Sequence, residues 1–457
     1  MARSSSIHVC SACGHEEPRW HGRCPGCGEW NSLVEQARPR AAPRGDRGGP
    51  GAATPVRLAE VDAPGVPRLA TGIGELDRVL GGGIVPGSVV LLGGAPGIGK
   101  STLTNMVLGN LAAAGHRTLY VSGEESTAQV RLRAQRLPAG ALEVPAIAET
   151  DLEAVLATLE RERPEACVID SVQTLDVREL SSAPGSVAQV REVAGQIVAL
   201  AKRRRIAVLL VGHVTKDGTL AGPRALEHLV DCVLQFEGER ERAYRTLRAV
   251  KNRFGSTNEA GVFEMRQGGL VEVLDASARF VGAATRAPGS VVLAAMEGTR
   301  PLLVEVQALV TPSELVPPRR VVNGLDRNRL ALVLAVLTRH GGVPLGGADV
   351  FVNVVGGVRL DEPGADLAVA LAVASAARNA TLGADDAARP IAAFGELGLT
   401  GELRWVGHPE RRLAEARKFG LDPILTPPDA GGTEVATLRH ALAATLTGGA
   451  RRPRVAA

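Results

Sequence analysis

The chain has 457 residues, 45% of them apolar and 22% charged, with a formal net charge of +3. This balance is that of an ordinary soluble protein of two to four domains, and it leaves no bulk positive charge to hold nucleic acid, so any such affinity rests on local basic patches. Aromatic residues are only 3%, which argues against base stacking as the main grip on single strands.

The first residues, Met1–Ser6, precede no apolar stretch of signal-peptide length. The longest apolar runs, Ile206–Val211 and Leu330–Leu337, fall far short of a membrane span. The expectation is a cytoplasmic protein without a membrane partner. Residues 1–36 carry Cys10-Ser11-Ala12-Cys13 and Cys24-Pro25-Gly26-Cys27, two CxxC knuckles separated by ten residues. Cys10, Cys13, Cys24 and Cys27 together supply a closed tetrahedral S₄ set, the pattern of structural Zn²⁺. A segment this short buries too little apolar area to fold alone, so metal binding supplies its folding energy. Two disulfides do not suit the cytoplasm, and a redox CxxC normally sits beside a βαβ unit. His8, His15 and His21 are nearby, but four sulfurs suffice. Residues 37–56 are rich in Pro, Gly, Ala and Arg without apolar period and read as a flexible linker.

From 57 to 280 apolar strands alternate with helical patterns, as in a mainly parallel α/β sheet. The run Val89–Leu92 leads into Gly94-Ala95-Pro96-Gly97-Ile98-Gly99-Lys100-Ser101, and Leu103, Met106, Val107 and Leu111 then recur at helical spacing. Strand, G-x-x-x-x-G-K-S loop and helix form a nucleoside triphosphate site. The glycines turn backbone amides towards the phosphates, Lys100 reaches the β/γ-phosphates, and the Ser101 hydroxyl holds Mg²⁺. ATP, Mg²⁺ and Zn²⁺ are thus the expected cofactors. Ala166–Ile169 is an apolar strand ending in Asp170, placed to hold the Mg²⁺ shell. Glu124 and Glu125 follow the strand Arg117–Val121. Glu124 is chosen as the base that orients and deprotonates water, with Glu125 as the alternative, both also suiting a helix start. His213, after Ile206–Val211, is a γ-phosphate sensor or a structural histidine. Lys202–Arg205 reads as a solvated helix end, and Cys167 and Cys232 read as buried, inert thiols.

Thr71-Gly72 through Leu76-Asp77, Leu80-Gly81-Gly82-Gly83, the phosphate loop and Gly123-Glu124-Glu125-Ser126 resemble the RecA superfamily of ring-forming ATPases. Lys251-Asn252-Arg253-Phe254-Gly255, with the four cysteines and Pro18-Arg19-Trp20 to Trp30-Asn31, is similar to the bacterial RadA (Sms) family of DNA repair proteins. The resemblance implies a homohexameric, DNA-dependent ATPase that drives branch migration of recombination intermediates, with the RecA recombinase as partner. It further implies that Lys251 and Arg253 are offered to a neighbour's γ-phosphate. Its axial DNA-contacting loops correspond to residues 176–190 and 214–224, which are polar, flexible and modestly basic, suiting sequence-independent contacts to the DNA backbone.

Residues 285–457 have their own strands and helices, and Gly356–Gly420 resembles the proteolytic domain of Lon, an α+β fold related to ribosomal protein S5. Asp366 falls where Lon's serine nucleophile stands, and Glu410 where its lysine base stands. An Asp/Glu pair cannot replace Ser/Lys as nucleophile and general base in amide hydrolysis, and activating water as aspartic proteases do needs two close carboxyls sharing a proton. The region reads as a scaffold without protease chemistry, serving ring assembly and DNA contact through Arg404, Arg411, Arg412, Arg417 or Lys418. Two alternatives are a Lon-type protease, opposed by Asp366 and Glu410, and a RecA-like signalling ATPase of the circadian-clock type, which normally lacks the zinc module and the Lys251–Gly255 motif.

Overall fold

A computed structural model describes residues 6–10, 15–26, 28–37, 57, 67–180, 182–212, 224–238, 244–282, 284–356, 359–360, 362–383 and 390–446. The chain divides into two compact units. The first takes in 1–237, 247–257 and 265–272, and the second 238–246, 258–264 and 273–457.

In the first unit, β1 (Ser6–Cys10) is flanked by β2 (Glu16–Glu17) and β3 (Leu33–Ala37), both antiparallel to it. Among the described residues the hydrophobic cluster of this small sheet is Cys10, Cys24 and Leu33, far too little apolar surface to offset the chain entropy of folding. Next come α1 (Gly74–Leu80), β4 (Val89–Gly94), α2 (Lys100–Ala113), β5 (Thr118–Ser122) and α3 (Thr127–Ala134). These are followed by β6 (Ala146–Ala148), α4 (Leu152–Glu162), β7 (Ala166–Asp170), α5 (Val187–Arg204) and β8 (Ala207–Val211). The series ends with α6 (Arg224–Leu229), β9 (Cys232–Glu237), β10 (Tyr244–Asn252), β11 (Ala260–Arg266) and β12 (Gly269–Glu272), of which residues 244–246 and 260–264 count with the second unit.

These strands form a sheet ordered β12-β11-β10-β9-β4-β8-β7-β5-β6. From β9 through β6 every recorded pairing is parallel. Every residue of β4, β5, β7 and β8 is buried, as parallel strands covered on both faces require; that is why their sequences are largely apolar, with polar residues only at strand ends and at Tyr120. In β10, by contrast, burial alternates over its first six residues, the pattern of a strand with one face on a core. The carboxyl ends of β4, β5, β7 and β8 share one edge, where ligands of open α/β sheets bind.

The second unit holds α7 (Ala276–Val281), β13 (Ser290–Glu297), β14 (Arg300–Pro312), β15 (Arg320–Asn323), α8 (Arg327–His340) and β16 (Ala348–Val354). It continues with α9 (Asp366–Arg378), β17 (Ala392–Ala393), β18 (Glu396–Leu397), β19 (Leu403–Arg404), α10 (Pro409–Lys418), β20 (Ile424–Thr426), β21 (Thr433–Glu434) and α11 (Leu438–Thr445). Its main sheet is mixed, ordered β15-β16-β14-β13-β17-β20-β21. Helix α9 is buried from Asp366 through Ser375, and its Ala/Val/Leu composition reflects a helix covered all round. The sequence reading ends one domain at 280 and opens the next at 285; Phe280 and Val281 of α7 pack into the core of the second unit.

Candidate active site

The loop Gly94–Gly99 leaves the carboxyl end of β4 and closes on α2, which starts at Lys100. Gly94 and Gly99 have φ of 155° and 117°, so neither tolerates a side chain readily. A Cβ on Gly94 would stand 2.7 Å from the Phe236 carbonyl oxygen, and one on Gly99 2.7 Å from Met265 Cε. The start of α2 has no side-chain cap and no acidic residue in its first turn. Its amides and dipole are therefore available to an anion, which is the chemistry a polyphosphate requires. Ile98 is buried and pins the loop, while Ala95, Pro96 and Gly97 face solvent. Lys100 Nζ donates to the carbonyls of Gly94 (2.8 Å) and Ala95 (3.1 Å). Burial holds its pKa below the ordinary lysine value, and the charges of Asp170 and Glu124 work against that shift. Lys100, Asp170 and Glu124 are thereby gathered into one electrostatic site, with Ser101 in the first turn of α2.

Asp170 ends β7 directly beside Ser122, the end of β5. The Tyr120 hydroxyl donates to Asp170 Oδ2 at 2.6 Å, a contact the apolar strand pattern gives no sign of. Burial and the Asp170 charge push the Tyr120 phenol well above the usual range. Ser171 Oγ donates to Glu124 Oε1 at 2.7 Å. Glu124 is exposed and beside Asp170, whereas Glu125 is ion-paired with Arg133 at 2.6 Å. Ser126 caps α3 with a capping box to Gln129, so it is Ser126, not either glutamate, that starts the helix.

Lys251 and Arg253 stand at the opposite edge of the sheet. The Arg253 amide donates to the Asp231 carbonyl (3.0 Å), so the end of β10 lies beside the start of β9. Asp231 Oδ2 in turn accepts from the amide of Val89, the first residue of β4. The phosphate loop leaves the other end of β4, about 17 Å away at ~3.3 Å per residue. Arg253 Nη1 pairs with Asp231 Oδ1 at 3.2 Å while its side chain stays 50% exposed. Lys251 Nζ donates to the carbonyls of Glu227 (2.5 Å) and Val230 (2.8 Å), at the end of α6. Asn252 Nδ2 donates to the carbonyls of Val79 and Leu80, and its Oδ1 accepts from the Phe254 amide.

His213 and loop residues 214–223 lie outside the described residues. The other suggested DNA loop, expected to be flexible, is held at its base. Buried Gln189 accepts from the Val177 amide (2.9 Å) and donates to the carbonyls of Val177 (3.1 Å) and Ser182 (2.9 Å) and to Asp176 Oδ1 (3.1 Å). Residues 187–190 already belong to α5. Lys202, Arg203 and Arg204 form the last turn of that helix. Cys167 and Cys232 are buried thiols, and burial pushes Cys232 up to about 12.

Of the four zinc-directed cysteines, Cys10 and Cys24 are buried, and Cys13 and Cys27 lie outside the described residues. The Gly26 amide points at Cys24 Sγ at 3.4 Å, an arrangement that stabilises a thiolate and suits a metal knuckle. His15 is engaged with Glu17 at 3.0 Å.

In the second unit, Asp366 is 2% exposed. Arg329 Nε and Nη2 donate to its two oxygens at 2.7 and 2.5 Å, and the Leu397 amide adds a third bond at 2.9 Å. The Glu410 side chain is 70% exposed, in the first turn of α10. One carboxylate is enclosed and paired and the other faces solvent, so they do not share a proton as an aspartic dyad does. Arg412 corrects an expectation: it is 2% exposed, bonded to both oxygens of Glu362 (3.0 and 2.6 Å) and to the Ala294 carbonyl, so it cannot touch DNA. On α10 its position faces the core, which a charge-rich sequence conceals. Arg404 pairs with Glu402, Arg411 donates to the Thr299 carbonyl, Arg417 to the Gly431 carbonyl, and Lys418 to Asp275.

Among the described residues no helix is long and apolar enough to cross a membrane. The KaiC ATPase family matches residues 69–277, and the rubredoxin metal binding domain matches residues 8–35. The chain is 52% identical over 431 residues to the DNA repair protein RadA of Pseudomonas aeruginosa, covering 93% of this chain and 94% of that protein. It is 46% identical to the DNA repair protein RadA of Bacillus subtilis and 49% identical to that of Listeria monocytogenes, in each case over 93% of both chains.

Proposed function

The chain belongs to the RadA family of bacterial DNA repair proteins, and from that membership we propose that this ATPase works as a hexameric ring on DNA. It would drive branch migration of recombination intermediates, with the RecA recombinase as partner. The KaiC match stops at residue 277, whereas the RadA relatives match the chain over 93% of its length; a signalling ATPase accounts for less of the sequence. Asp366 and Glu410 support the reading of the Lon-like region as a scaffold without peptidase chemistry.

In this reading Lys100 offsets charge developing on the transferred phosphoryl group. Ser101 and Asp170 hold Mg²⁺, which polarises the phosphate oxygens when bound, and Glu124 takes the proton of the attacking water. Zn²⁺ on Cys10, Cys13, Cys24 and Cys27 holds the N-terminal module together. Lys251 and Arg253 face a neighbour's γ-phosphate. The observation that carries the ring is the length of β4 between Arg253 and the chain's own phosphate loop. An arginine at that edge cannot serve the loop of its own chain, but subunits stacked edge to edge would bring it to the next one. Arg253 is half exposed for that role, and Lys251 would have to leave the end of α6.

DNA contacts would be to phosphates, so they should be sensitive to salt. ATP turnover measured with and without single-stranded DNA, from about 50 to about 200 mM salt, tests the reading. DNA stimulation should be present at low salt and fade as salt rises, with basal turnover little changed. Turnover indifferent to DNA at every salt concentration would remove the DNA motor and leave the signalling ATPase.

A further inference from the structure

The ends of β5 and β7 are joined twice. Ser171 Oγ reaches Glu124 directly at 2.7 Å. Asp170, one residue earlier, is connected to Glu125 through two side chains: Tyr120 hydroxyl to Asp170 Oδ2 at 2.6 Å, Arg133 Nη2 to the Tyr120 oxygen at 2.8 Å, and Arg133 Nη1 to Glu125 Oε2 at 2.6 Å. The Gly123 amide closes the arrangement by donating to the Asp170 carbonyl at 2.8 Å. Two neighbouring carboxylates on one strand end are thus locked to two neighbouring residues on the other.

The direction of these bonds follows from their chemistry. A guanidinium only donates, so the Tyr120 oxygen must accept from Arg133 and its own proton points at Asp170. Tyr120 is 1% exposed, Ser171 0% and Asp170 7%, so water has little access to the Tyr120–Asp170 bond. The Arg133 guanidinium that donates to the Tyr120 oxygen lies 5.8 Å from the centre of the Tyr120 ring. A phenylalanine would fill the same space, and the hydroxyl is what adds the contact to Asp170.

We propose that Tyr120 and Arg133 are positioning residues: they fix the Asp170 carboxylate in the orientation from which it serves the nucleotide's divalent cation, and they couple that orientation to Glu125. The proposal rests on the assignment of Asp170 to the metal. Groups that orient a metal-binding carboxylate typically change metal affinity or activity by about 10- to 100-fold when removed. The coupling gives Glu125 a task distinct from that of Glu124. One glutamate faces the water, and the other holds the metal carboxylate through α3.

The test uses full-length protein, Mn²⁺ as a paramagnetic probe, and the β,γ-imido analogue of ATP. Mn²⁺ affinity read by electron paramagnetic resonance should fall about 10-fold in Tyr120→Phe, while nucleotide affinity in excess chelator stays at the wild-type level. Arg133→Met should reproduce the loss without altering a buried strand, and Arg133→Lys, which keeps a donor, should recover part of it. Asp170→Asn separates the two layers. If Asp170→Asn binds Mn²⁺ as wild type does, the metal assignment itself fails. If Asp170→Asn loses Mn²⁺ while Tyr120→Phe and Arg133→Met keep full affinity, the positioning role alone is overturned. A fluorine label gives an independent signature, because the chain has only two tyrosines, Tyr120 and Tyr244. With 3-fluorotyrosine incorporated and Tyr244→Phe used for assignment, the Tyr120 resonance should move when Mg²⁺ is added to the nucleotide-bound protein. A resonance that ignores the metal would also overturn the proposal.

Discussion

A general base needs a lone pair directed at water, and the two adjacent carboxylates after β5 meet that demand differently. Glu124 is exposed and takes a hydrogen bond from Ser171, whereas Glu125 spends an oxygen on the Arg133 guanidinium at 2.6 Å. Glu124→Gln should therefore lower ATP turnover by about 10²-fold or more while leaving nucleotide affinity intact. Glu125→Gln should cost less, and its loss should ease when Mg²⁺ is raised. Single-turnover hydrolysis alongside equilibrium nucleotide binding checks both, and equal losses in the two variants would void the distinction. Asp366 permits a similar argument in the second unit. Removing one partner of an enclosed ion pair strands the other, so Asp366→Ala should destabilise the protein by roughly 2–3 kcal/mol, a figure reduced because Arg329 is partly exposed and keeps Glu396 nearby. Urea unfolding measures this loss, and the paired change Arg329→Met with Asp366→Leu should recover most of it. Asp366→Ser should cleave no casein, since Glu410 offers no amine base.

At the scale of elements, the hydrophobic cluster of the N-terminal sheet among the described residues is Cys10, Cys24 and Leu33, so the proposed Zn²⁺ would supply most of its folding energy. The protein should carry one Zn²⁺ per chain by elemental analysis. Cys10→Ala should release the metal and unfold β1–β3 while ATP turnover without DNA persists; unchanged zinc content would refute the assignment. This module and the phosphate loop are legible in sequence because their chemistry is local: two knuckles, or one strand, loop and helix, lie within a few residues. The buried parallel strands are legible for a related reason, since β4, β5, β7 and β8 write their two-sided burial as largely apolar runs. What the sequence hides is partnership over distance. Tyr120 meets Asp170 across 50 positions and Arg412 meets Glu362 across 50, and neither pair leaves a periodic trace. Tyr120 sits within an apolar strand, and Arg412 sits in Pro409–Lys418, where charge suggests a solvated face and the fold turns one arginine inward. Gln189 is comparable: polar and mid-helix in sequence, it is buried and ties down the loop from Val177 to Ser182. The Lys251–Gly255 motif is recognisable in sequence, but its place is not: the fold sets Arg253 on Asp231, which in turn bonds the first residue of β4.

For the whole molecule, the separation along β4 sets a condition on how hydrolysis can be completed. If Arg253 acted on the phosphate loop of its own chain, it would have to cross the length of the sheet; if it acted on a neighbour, each site would be shared by two chains, and hydrolysis would report ring geometry. The two cases predict different behaviour when two inactive variants are mixed. Lys100→Ala removes the phosphate-loop cation and keeps Arg253; Arg253→Ala does the reverse. Shared sites mean that a Lys100-intact chain followed by an Arg253-intact neighbour restores a complete site. For equal, random assembly one half of the positions carry the first and one half of their neighbours carry the second, so about a quarter of wild-type turnover should return. The value does not depend on the number of subunits, provided sites act independently, and strong coupling around the ring would lower it. Turnover measured after mixing, with co-assembly verified by light scattering and by mass tags on each variant, tests this. A mixture no more active than its two parents, despite verified co-assembly, would assign Arg253 to its bond with Asp231 and to the structure of its own chain.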